Sequence, residues 1–259
     1  METLLRDLRH AWRSAAGAPG FTALAALTLA LGIGAATVVF ALTDAVLLRP
    51  FPFVEPERLA AVWGESPSAG HARVEVSMRD AEDWRAGNRV FSELALLAAS
   101  DGYVSLTGPD GAVPVRFRFV SAGFFDVLGA RPALGRTFQP GDERRSTLVI
   151  GDRLWRERLG GDPAIVGRTL RMDSEPVTVI GVMPPGFQFP YTADAWCLFS
   201  PASEEEDGLR IFQGLARLGP GVSLQKAQDG MSELSDSLRQ SKPFQYRDYR
   251  ASVRPLVDD

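Results

Sequence analysis

Residues 21–43 read FTALAALTLALGIGAATVVFALT, and this stretch decides how the molecule is organised. No charged residue occurs between Arg13 and Asp44, whereas charges recur throughout the sequence that follows. As an α-helix the stretch would be about 34 Å long, against a bilayer hydrocarbon core of about 30 Å. Its threonines can hydrogen-bond back to helix carbonyls and therefore oppose insertion little. The pattern predicts a transmembrane helix.

A cleavable signal peptide is the main alternative interpretation of this run. The apolar region of a signal peptide is usually about 7–15 residues long. The run here is longer, and beyond Asp44 it continues into Ala-Val-Leu-Leu at 45–48. We therefore interpret residues 19–48 as an uncleaved transmembrane anchor. Its small residues at 32 and 34–36 either allow close approach of another membrane helix or face lipid, and we favour the helix contact.

Residues 1–18 are predicted to form an amphipathic helix at the membrane surface, with packing on a protein core as the alternative. Between positions 3 and 15, a face of leucine, alanine and tryptophan lies opposite a cationic face. Three basic residues precede the span and two follow it closely: Arg6, Arg9, Arg13, Arg49 and Arg58. This bias favours a cytoplasmic N-terminus, which would place the rest of the chain outside the cytoplasm.

Residues 49–259 are predicted to fold as one extracytoplasmic α+β domain of one or two lobes with antiparallel hairpins. Strict alternation at 113–119 predicts a half-buried strand, and Gly108-Pro-Asp-Gly111 predicts a hairpin turn before it. Ser77 and Asp80 have the spacing of a capping box that begins a helix ending near 86. Further strands are predicted at 59–64, 94–106, 147–150, 169–172, 177–182, 211–218 and 251–256, and further helices at 122–128, 152–159 and 223–238.

Composition argues against several functional classes. The net charge of -4 gives no basic footprint for nucleic acid. Cys197 is the sole cysteine, so no intrachain disulfide can form, and two histidines with one cysteine make a zinc site of the usual ligands improbable. No Gly-x-x-x-x-Gly-Lys-[Ser/Thr] motif occurs, so any ATP must be hydrolysed by another chain or domain.

No residue is predicted to be catalytic, cofactor-binding or metal-binding, and the chain is not expected to be an enzyme. His71 follows a Gly/Ser/Pro-rich stretch and is expected in a surface loop. Cys197 is expected to be a small core residue, and the acidic run at 204–207 a solvated loop. Four tryptophans within predicted elements are expected in the core rather than at a ligand: Trp63, Trp84, Trp155 and Trp196.

Several different short motifs are distributed along nearly the whole chain. They are DLRHAWR at 7–13, PGFTAL at 19–24, LTLALGIGA at 27–35, DAVLLRPFP at 44–52, Phe124-Phe125 with Leu128-Gly129, Pro132-x-x-Gly135-Arg136-x-Phe138, WRERLGGDPAIVGR at 155–168, VIGVMPPGF at 179–187 and PGVSL at 220–224. In this order they resemble MacB-like ABC-transporter permeases, and more narrowly the acidobacterial-type duplicated permease group.

The resemblance implies an inner-membrane protein with one N-terminal span, a periplasmic core domain, further permease helices and a separate ATPase. Such systems couple ATP-driven motion at the membrane to the outer domain. Family members run on towards a second span where this sequence ends, so we expect a truncated permease component of an export or mechanotransmission system. The alternatives are a freestanding membrane-anchored binding module of the cell envelope and an anchored hydrolase that uses His71 or an acidic pair.

Overall fold

The computed structural model describes residues 19–43, 53–108, 111–139, 141–142, 146–190, 193–200 and 204–256. The contacts divide the chain into two compact units, Met1–Phe51 and Pro52–Asp259. The amphipathic helix predicted at 3–15 lies outside the described residues.

The smaller unit contains helix α1 (Pro19–Thr43), which is 25 residues long and has no charged residue in its first or last turn. Thr28 Oγ1 donates to Leu24 O at 2.8 Å, and Thr37 Oγ1 donates to Ile33 O at 2.7 Å. These are the backbone contacts expected of threonines in an apolar helix. When the described residues alone are searched, no helix proves long and apolar enough to cross a membrane.

The described part of the larger unit contains twelve strands that belong to one hydrogen-bonded sheet. The strands are β1 (Leu59–Ser66), β2 (His71–Val74), β3 (Phe91–Ala98), β4 (Gly102–Gly108), β5 (Gly111–Val120), β6 (Leu134–Gly135), β7 (Thr147–Ile150), β8 (Thr169–Met172), β9 (Glu175–Val182), β10 (Ala195–Leu198), β11 (Phe212–Leu218) and β12 (Arg250–Pro255). The helices are α2 (Met78–Gly87), α3 (Phe124–Leu128), α4 (Asp152–Arg158), α5 (Glu204–Asp207), α6 (Leu224–Ser241) and α7 (Pro243–Tyr246).

The first lobe is a split βαβ arrangement, which we call the helix-backed lobe. Its strands lie in the antiparallel order β3-β11-β1-β12, with α2 linking β1 to β3 and α6 linking β11 to β12. Alternate strand residues such as Leu96 and Phe212 pack with Trp84 of α2 and Met231 of α6 in one core. The short helix α3 packs against β3 and β11 as well.

The second lobe is a closed barrel. Its strands run β5-β4-β8-β9-β7-β10 and return to β5, because β10 pairs in parallel with β5 as well as antiparallel with β7. The pairing of β7 with β9 is also parallel, and the other pairs are antiparallel. Leu148, Ile150 and Val179 belong to its apolar core. All six barrel strands lie between β3 and β11 in the sequence, so the barrel is an insertion into the helix-backed lobe.

The structure confirms most of the predicted elements of the larger unit. Gly108 pairs with Gly111 at the predicted hairpin, and Ser77 and Asp80 form both hydrogen bonds of a capping box. The single strand predicted at 94–106 is wrong, because a bend at Ser100 divides it into β3 and β4. The loop predicted for 204–207 is also wrong: the run forms the one-turn helix α5, and Asp207 pairs with Arg79 at 3.6 Å.

Candidate functional site at the aromatic cluster

Seven aromatic side chains meet in one group that we call the aromatic cluster: Phe53, Phe124, Phe125, Phe138, Phe187, Phe189 and Trp196. Each is at most 9% exposed. The ring centroids of Phe187 and Trp196 lie 5.2 Å apart and those of Phe53 and Phe189 5.3 Å apart, both in edge-on geometry. Such pairs stabilise a core beyond the area that they bury.

Five separate parts of the chain supply the cluster. Phe124 and Phe125 lie on α3, and Trp196 lies on β10 of the barrel. Phe187 and Phe189 lie in the proline-rich loop that connects β9 to β10, and their rings contact both α3 and Trp196. Trp196 Nε1 donates to Phe189 O at 3.0 Å, which fixes this loop against β10. Phe53 is the first described residue of the larger unit. Its ring packs on Phe187 and Phe189, and these rings contact Phe124 of α3 and Trp196 of β10.

Two glycines bring a further segment into the cluster. Gly135 on β6 and Gly181 on β9 face each other in the ladder. A Cβ on Gly135 would lie 2.2 Å from Ile180 O, and a Cβ on Gly181 would lie 2.2 Å from Arg136 O. Only glycine permits so close a backbone approach, and Gly135 also has a φ of +70°. This contact holds the segment that carries Phe138, which packs on Phe125 at 5.9 Å.

Two arginines hold the chain beside the cluster. Arg58 donates from Nε and Nη2 to Leu218 O at 3.1 and 2.8 Å, and from Nη1 to Glu55 at 2.6 Å. Arg217 is 8% exposed, and its Nε donates to Val127 O at 2.8 Å near the C-terminus of α3. Its Nη1 and Nη2 are buried without a hydrogen-bond partner in the described structure. Burial and the neighbouring charge of Arg58 lower the pKa of Arg217.

A cluster of polar side chains lies at the N-terminus of α2, beside the start of β12. The side chain of Asp80 is fully buried and accepts from Arg210 Nε at 3.0 Å, Gln245 Nε2 at 3.1 Å and Ser77 N at 3.1 Å. Burial alone would raise the pKa of Asp80, but Arg210 and the other donors outweigh burial and lower it. The Arg210 guanidinium also lies 3.7 Å above the Tyr249 ring.

A neighbouring carboxylate closes the turn between β1 and β2. Asp248 accepts from Ser66 Oγ at 2.5 Å and from the backbone and hydroxyl of Ser68. These hydrogen bonds lower the pKa of Asp248 from 3.8 to about 2. Asp80 and Asp248 therefore both titrate below their usual values in the folded chain, which links its stability to pH.

We expect thermal stability to be nearly constant from about pH 7 to about pH 5 and to fall between about pH 4 and about pH 2. A carboxyl group with a lowered folded pKa stabilises the native state above its unfolded pKa, and this stabilisation is lost as the pH falls through the folded value. Melting temperatures across this range test the prediction. Asp248→Asn should show a shallower acid decline than Asp236→Asn, an exposed control on α6. Equal declines would contradict the assignment.

His71 lies in the helix-backed lobe, in a surface hollow that Ser66 and Asp248 also line, whereas Cys197 lies in the barrel. His71 is exposed at the start of β2, a strand rather than the predicted loop. Cys197 lies in the barrel core, as predicted, where burial raises the pKa of its thiol to about 12. No cluster of metal-ligating side chains occurs among the described residues.

Three of the four tryptophans predicted to lie in the core are buried: Trp84, Trp155 and Trp196. Trp63 is only half-buried, with the Arg73 guanidinium 5.8 Å above its ring. Sequence reasoning did not identify the aromatic cluster, although Phe124, Phe125, Phe138 and Phe187 occur in three of the quoted motifs. The signal was present as those motifs, but nothing in the linear sequence indicated that they meet.

Known structures share this fold. A domain of a permease candidate from Porphyromonas gingivalis matches with a TM-score of 0.61 and 18% identity, covering 79% of this chain and 93% of that one. The periplasmic region of MacB from Actinobacillus actinomycetemcomitans matches with a TM-score of 0.59 and 13% identity, covering 83% and 94%. The extracellular domain of the noncanonic ABC-type transporter YknZ from Gram-positive bacteria matches with a TM-score of 0.53 and 14% identity, covering 75% and 99%.

The family comparison covers most of the chain. The model of the MacB-like periplasmic core domain matches residues 22–234, a range that contains the aromatic cluster and both lobes up to α6. No curated protein matches the chain at a significant level. The chain belongs to the family of MacB-like periplasmic core domains, which are extracytoplasmic domains of ABC-type transporter permeases.

Proposed function

We propose that this chain is a membrane-anchored permease component of an ABC-type export or mechanotransmission system. Residues 19–48 form its transmembrane helix, residues 1–18 lie at the cytoplasmic membrane surface, and residues 49–259 form the domain outside the inner membrane. The uncharged run at 21–43 and the helical backbone of Pro19–Thr43 support the anchor. Family membership supports the location of the domain.

The burial of Phe53 in the aromatic cluster is the observation that carries the proposed mechanism. Phe53 lies in edge-on contact with Phe187 and Phe189, and these rings pack on α3 and β10. Since packed interiors deform little, a displacement of the chain at residue 53 must be passed to both lobes. The domain would thus transmit motion of the anchor to a substrate or partner outside the membrane.

The proposal requires three kinds of partner. A separate ATPase must supply energy, because the sequence contains no phosphate-binding loop of the common type. Further permease helices must complete a membrane path, and the small residues from 32 to 36 offer a surface for close helix contact. The lipid bilayer is the third partner. No catalytic step is assigned to the chain, because its role is mechanical.

Membrane fractionation with protease accessibility tests the anchor. A C-terminal tag should stay with membranes after carbonate washing and be cut only when the outer compartment is opened. Leu31→Arg should shift the tag substantially towards the soluble fraction, because arginine at a span centre costs about 2.5–3.5 kcal/mol. Leu209→Arg, at an exposed position of the larger unit, is the matched control. A wild-type tag that is soluble or cytoplasmic would refute the proposal.

A freestanding anchored binding module is the second candidate function. It is favoured by a hydroxyl-lined cavity on the barrel, which has no evident role in transmitting motion. Purification of the tagged chain from cells separates the two. Recovery of an ATPase with the wild type, and its loss with Leu31→Arg, supports the permease role. A stable chain recovered without any ATPase supports the binding module.

A further inference from the structure

The buried side chain of Arg217 on β11 makes fewer hydrogen bonds than its burial requires. It is 8% exposed, and its Nε donates to Val127 O at 2.8 Å. Its Nη1 and Nη2 atoms are buried without a hydrogen-bond partner in the described structure. Unpaired N–H groups of a buried guanidinium destabilise the fold, since they have lost water and gained no acceptor. Because these two atoms are closed off from solvent, an acceptor can reach them only through a movement of the protein itself.

The entry segment, residues 53–58, is the part of the chain that lies beside Arg217. Leu59, which follows directly, is the register partner of Arg217. A Cβ placed on Gly129 would lie 2.9 Å from Val54 Cβ and 3.7 Å from Arg217 Nη2, so both side chains approach the same glycine. A movement of the entry segment would therefore change the surroundings of the unpaired nitrogens.

The backbone of the entry segment is strained at Glu55. This residue has φ 48° and ψ 63°, a left-handed conformation that is costly for a side chain of its kind. Its carboxylate is half-exposed and accepts from Arg58 Nη1 at 2.6 Å, and its carbonyl accepts from Arg58 N at 2.9 Å. Backbone strain persists only where surrounding contacts compensate for it, and it is common in switch regions. At Glu55 the compensating hydrogen bonds both come from Arg58.

The two neighbouring arginines differ in their need for Glu55. Arg58 also donates from Nε and Nη2 to the carbonyl at the end of β11, so it keeps an acceptor when Glu55 leaves. Burial and the charge of Arg58 lower the pKa of Arg217, and three carboxylates oppose this lowering: Glu55, Glu57 and Glu93. Glu55 has the largest effect of the three. It is therefore the carboxylate best placed to become the missing partner of Arg217.

We propose that Glu55 exchanges between Arg58 and Arg217, so that the entry segment has two positions in the folded protein. In the second position, the backbone at Glu55 leaves the left-handed region and the carboxylate accepts from Nη1 and Nη2 of Arg217. Guanidinium and carboxylate groups favour such a bidentate geometry. This position gains a buried ion pair and relieves the strain, but it loses the contacts that Arg58 and Gly129 make with the entry segment. Because gains and losses oppose each other, both positions are populated.

This exchange goes beyond the permease role and does not rest on it, since every group involved belongs to the larger unit. In a domain that transmits motion, an element with two discrete positions would convert a gradual pull on residue 53 into a switch. Failure of the exchange would leave the outcome of the membrane-fractionation test unchanged, so the two proposals can be refuted separately.

The test uses ¹⁹F NMR of the full chain in lipid nanodiscs. Val54→Cys, at a position that is 57% exposed, carries a trifluoromethyl label, and all variants share this labelled background. Cys197 is buried, so the chain without Val54→Cys should take up no label under native conditions. The labelled chain should give two exchanging signals, with the minor one at about 1–10% of the total. Saturation transfer between them shows that they belong to one folded protein.

The two arginine variants should change the populations in opposite directions. Arg58→Met removes the partner of the described position and should raise the ratio of minor to major signal by about three- to tenfold. Arg217→Met removes the partner of the second position and should abolish the minor signal. Glu57→Gln is the matched control, because it removes an exposed carboxylate two residues from Glu55. It should leave both signals as they are.

Glu55→Asn decides the question if an arginine variant does not fold. Asparagine adopts the left-handed region more readily than glutamate and cannot replace the carboxylate, so a single signal is expected. The proposal is overturned by a single signal in both the labelled parent and Arg58→Met. It is also overturned by two signals whose ratio is the same in Arg58→Met, Arg217→Met and Glu55→Asn.

Discussion

Arg210→Ala should lower the free energy of unfolding by about 3 kcal/mol, because it leaves the buried carboxylate of Asp80 without its cation. The Asp80 side chain is fully buried and the Arg210 side chain is 34% exposed, so water that enters in place of the guanidinium compensates the carboxylate only in part. The substitution also removes the cation–π contact with Tyr249 at 3.7 Å. Urea unfolding of the full chain followed by tryptophan fluorescence measures the change.

Arg239→Ala is the control for this prediction. Arg239 forms an ion pair with Asp236 on the surface of α6, where both side chains are more than half exposed. Exposed pairs contribute about 0–1 kcal/mol. Combining Arg210→Ala with Asp80→Asn should recover part of the lost stability, since the uncompensated charge is then absent. If Arg210→Ala costs no more than Arg239→Ala, Asp80 does not depend on this cation.

The second large effect concerns the aromatic cluster. Trp196→Ala should destabilise the domain by about 3–5 kcal/mol, because the neighbouring rings cannot move to fill the cavity that the substitution leaves. Trp196 packs against Phe187 at 5.2 Å and Phe125 at 5.6 Å, and its Nε1 holds the proline-rich loop through Phe189 O. Differential scanning calorimetry of the full chain reads out the loss.

Two further variants separate packing from hydrogen bonding at this position. Trp196→Phe keeps a ring but removes the N–H donor. It should lower the free energy of unfolding by about 1–3 kcal/mol, less than Trp196→Ala, because the Phe189 carbonyl loses its partner and the smaller ring fills less volume. Tyr103→Ala, at a side chain that is 72% exposed, should change stability by less than about 0.5 kcal/mol. A Trp196→Ala variant as stable as Tyr103→Ala would show that the cluster does not hold the lobes together.

Local patterns predicted local structure well. The alternation at 113–119 and the turn residues before it identified the β4–β5 hairpin, and the Ser77 to Asp80 spacing identified the start of α2. Barrel closure could not be predicted in this way. It depends on parallel pairing between β5 and the four-residue strand Ala195–Leu198, which is too short to show a period and lies far along the chain.

The candidate sites were predictable only in part. Four of the seven aromatic residues were visible in motifs that resemble a known family, but their meeting point depends on contacts between segments that are distant in sequence. Strand register could not be predicted either: Thr147, Thr178 and Thr169 share a face only because β7, β9 and β8 align as they do.

The insertion of the barrel has a consequence for how such a gene can change. Ala98 at the end of β3 and Phe212 at the start of β11 are register partners, and Ala99 N donates to Ile211 O at 2.8 Å beyond them. The barrel is thus encoded by one uninterrupted stretch, whereas the helix-backed lobe is encoded by two separated stretches. Replacement of the segment between 99 and 211 can exchange one barrel, together with α3, for another and leave the flanking ends of β3 and β11 paired. Diversification can then proceed by whole modules, while the helix-backed lobe keeps its ancestry.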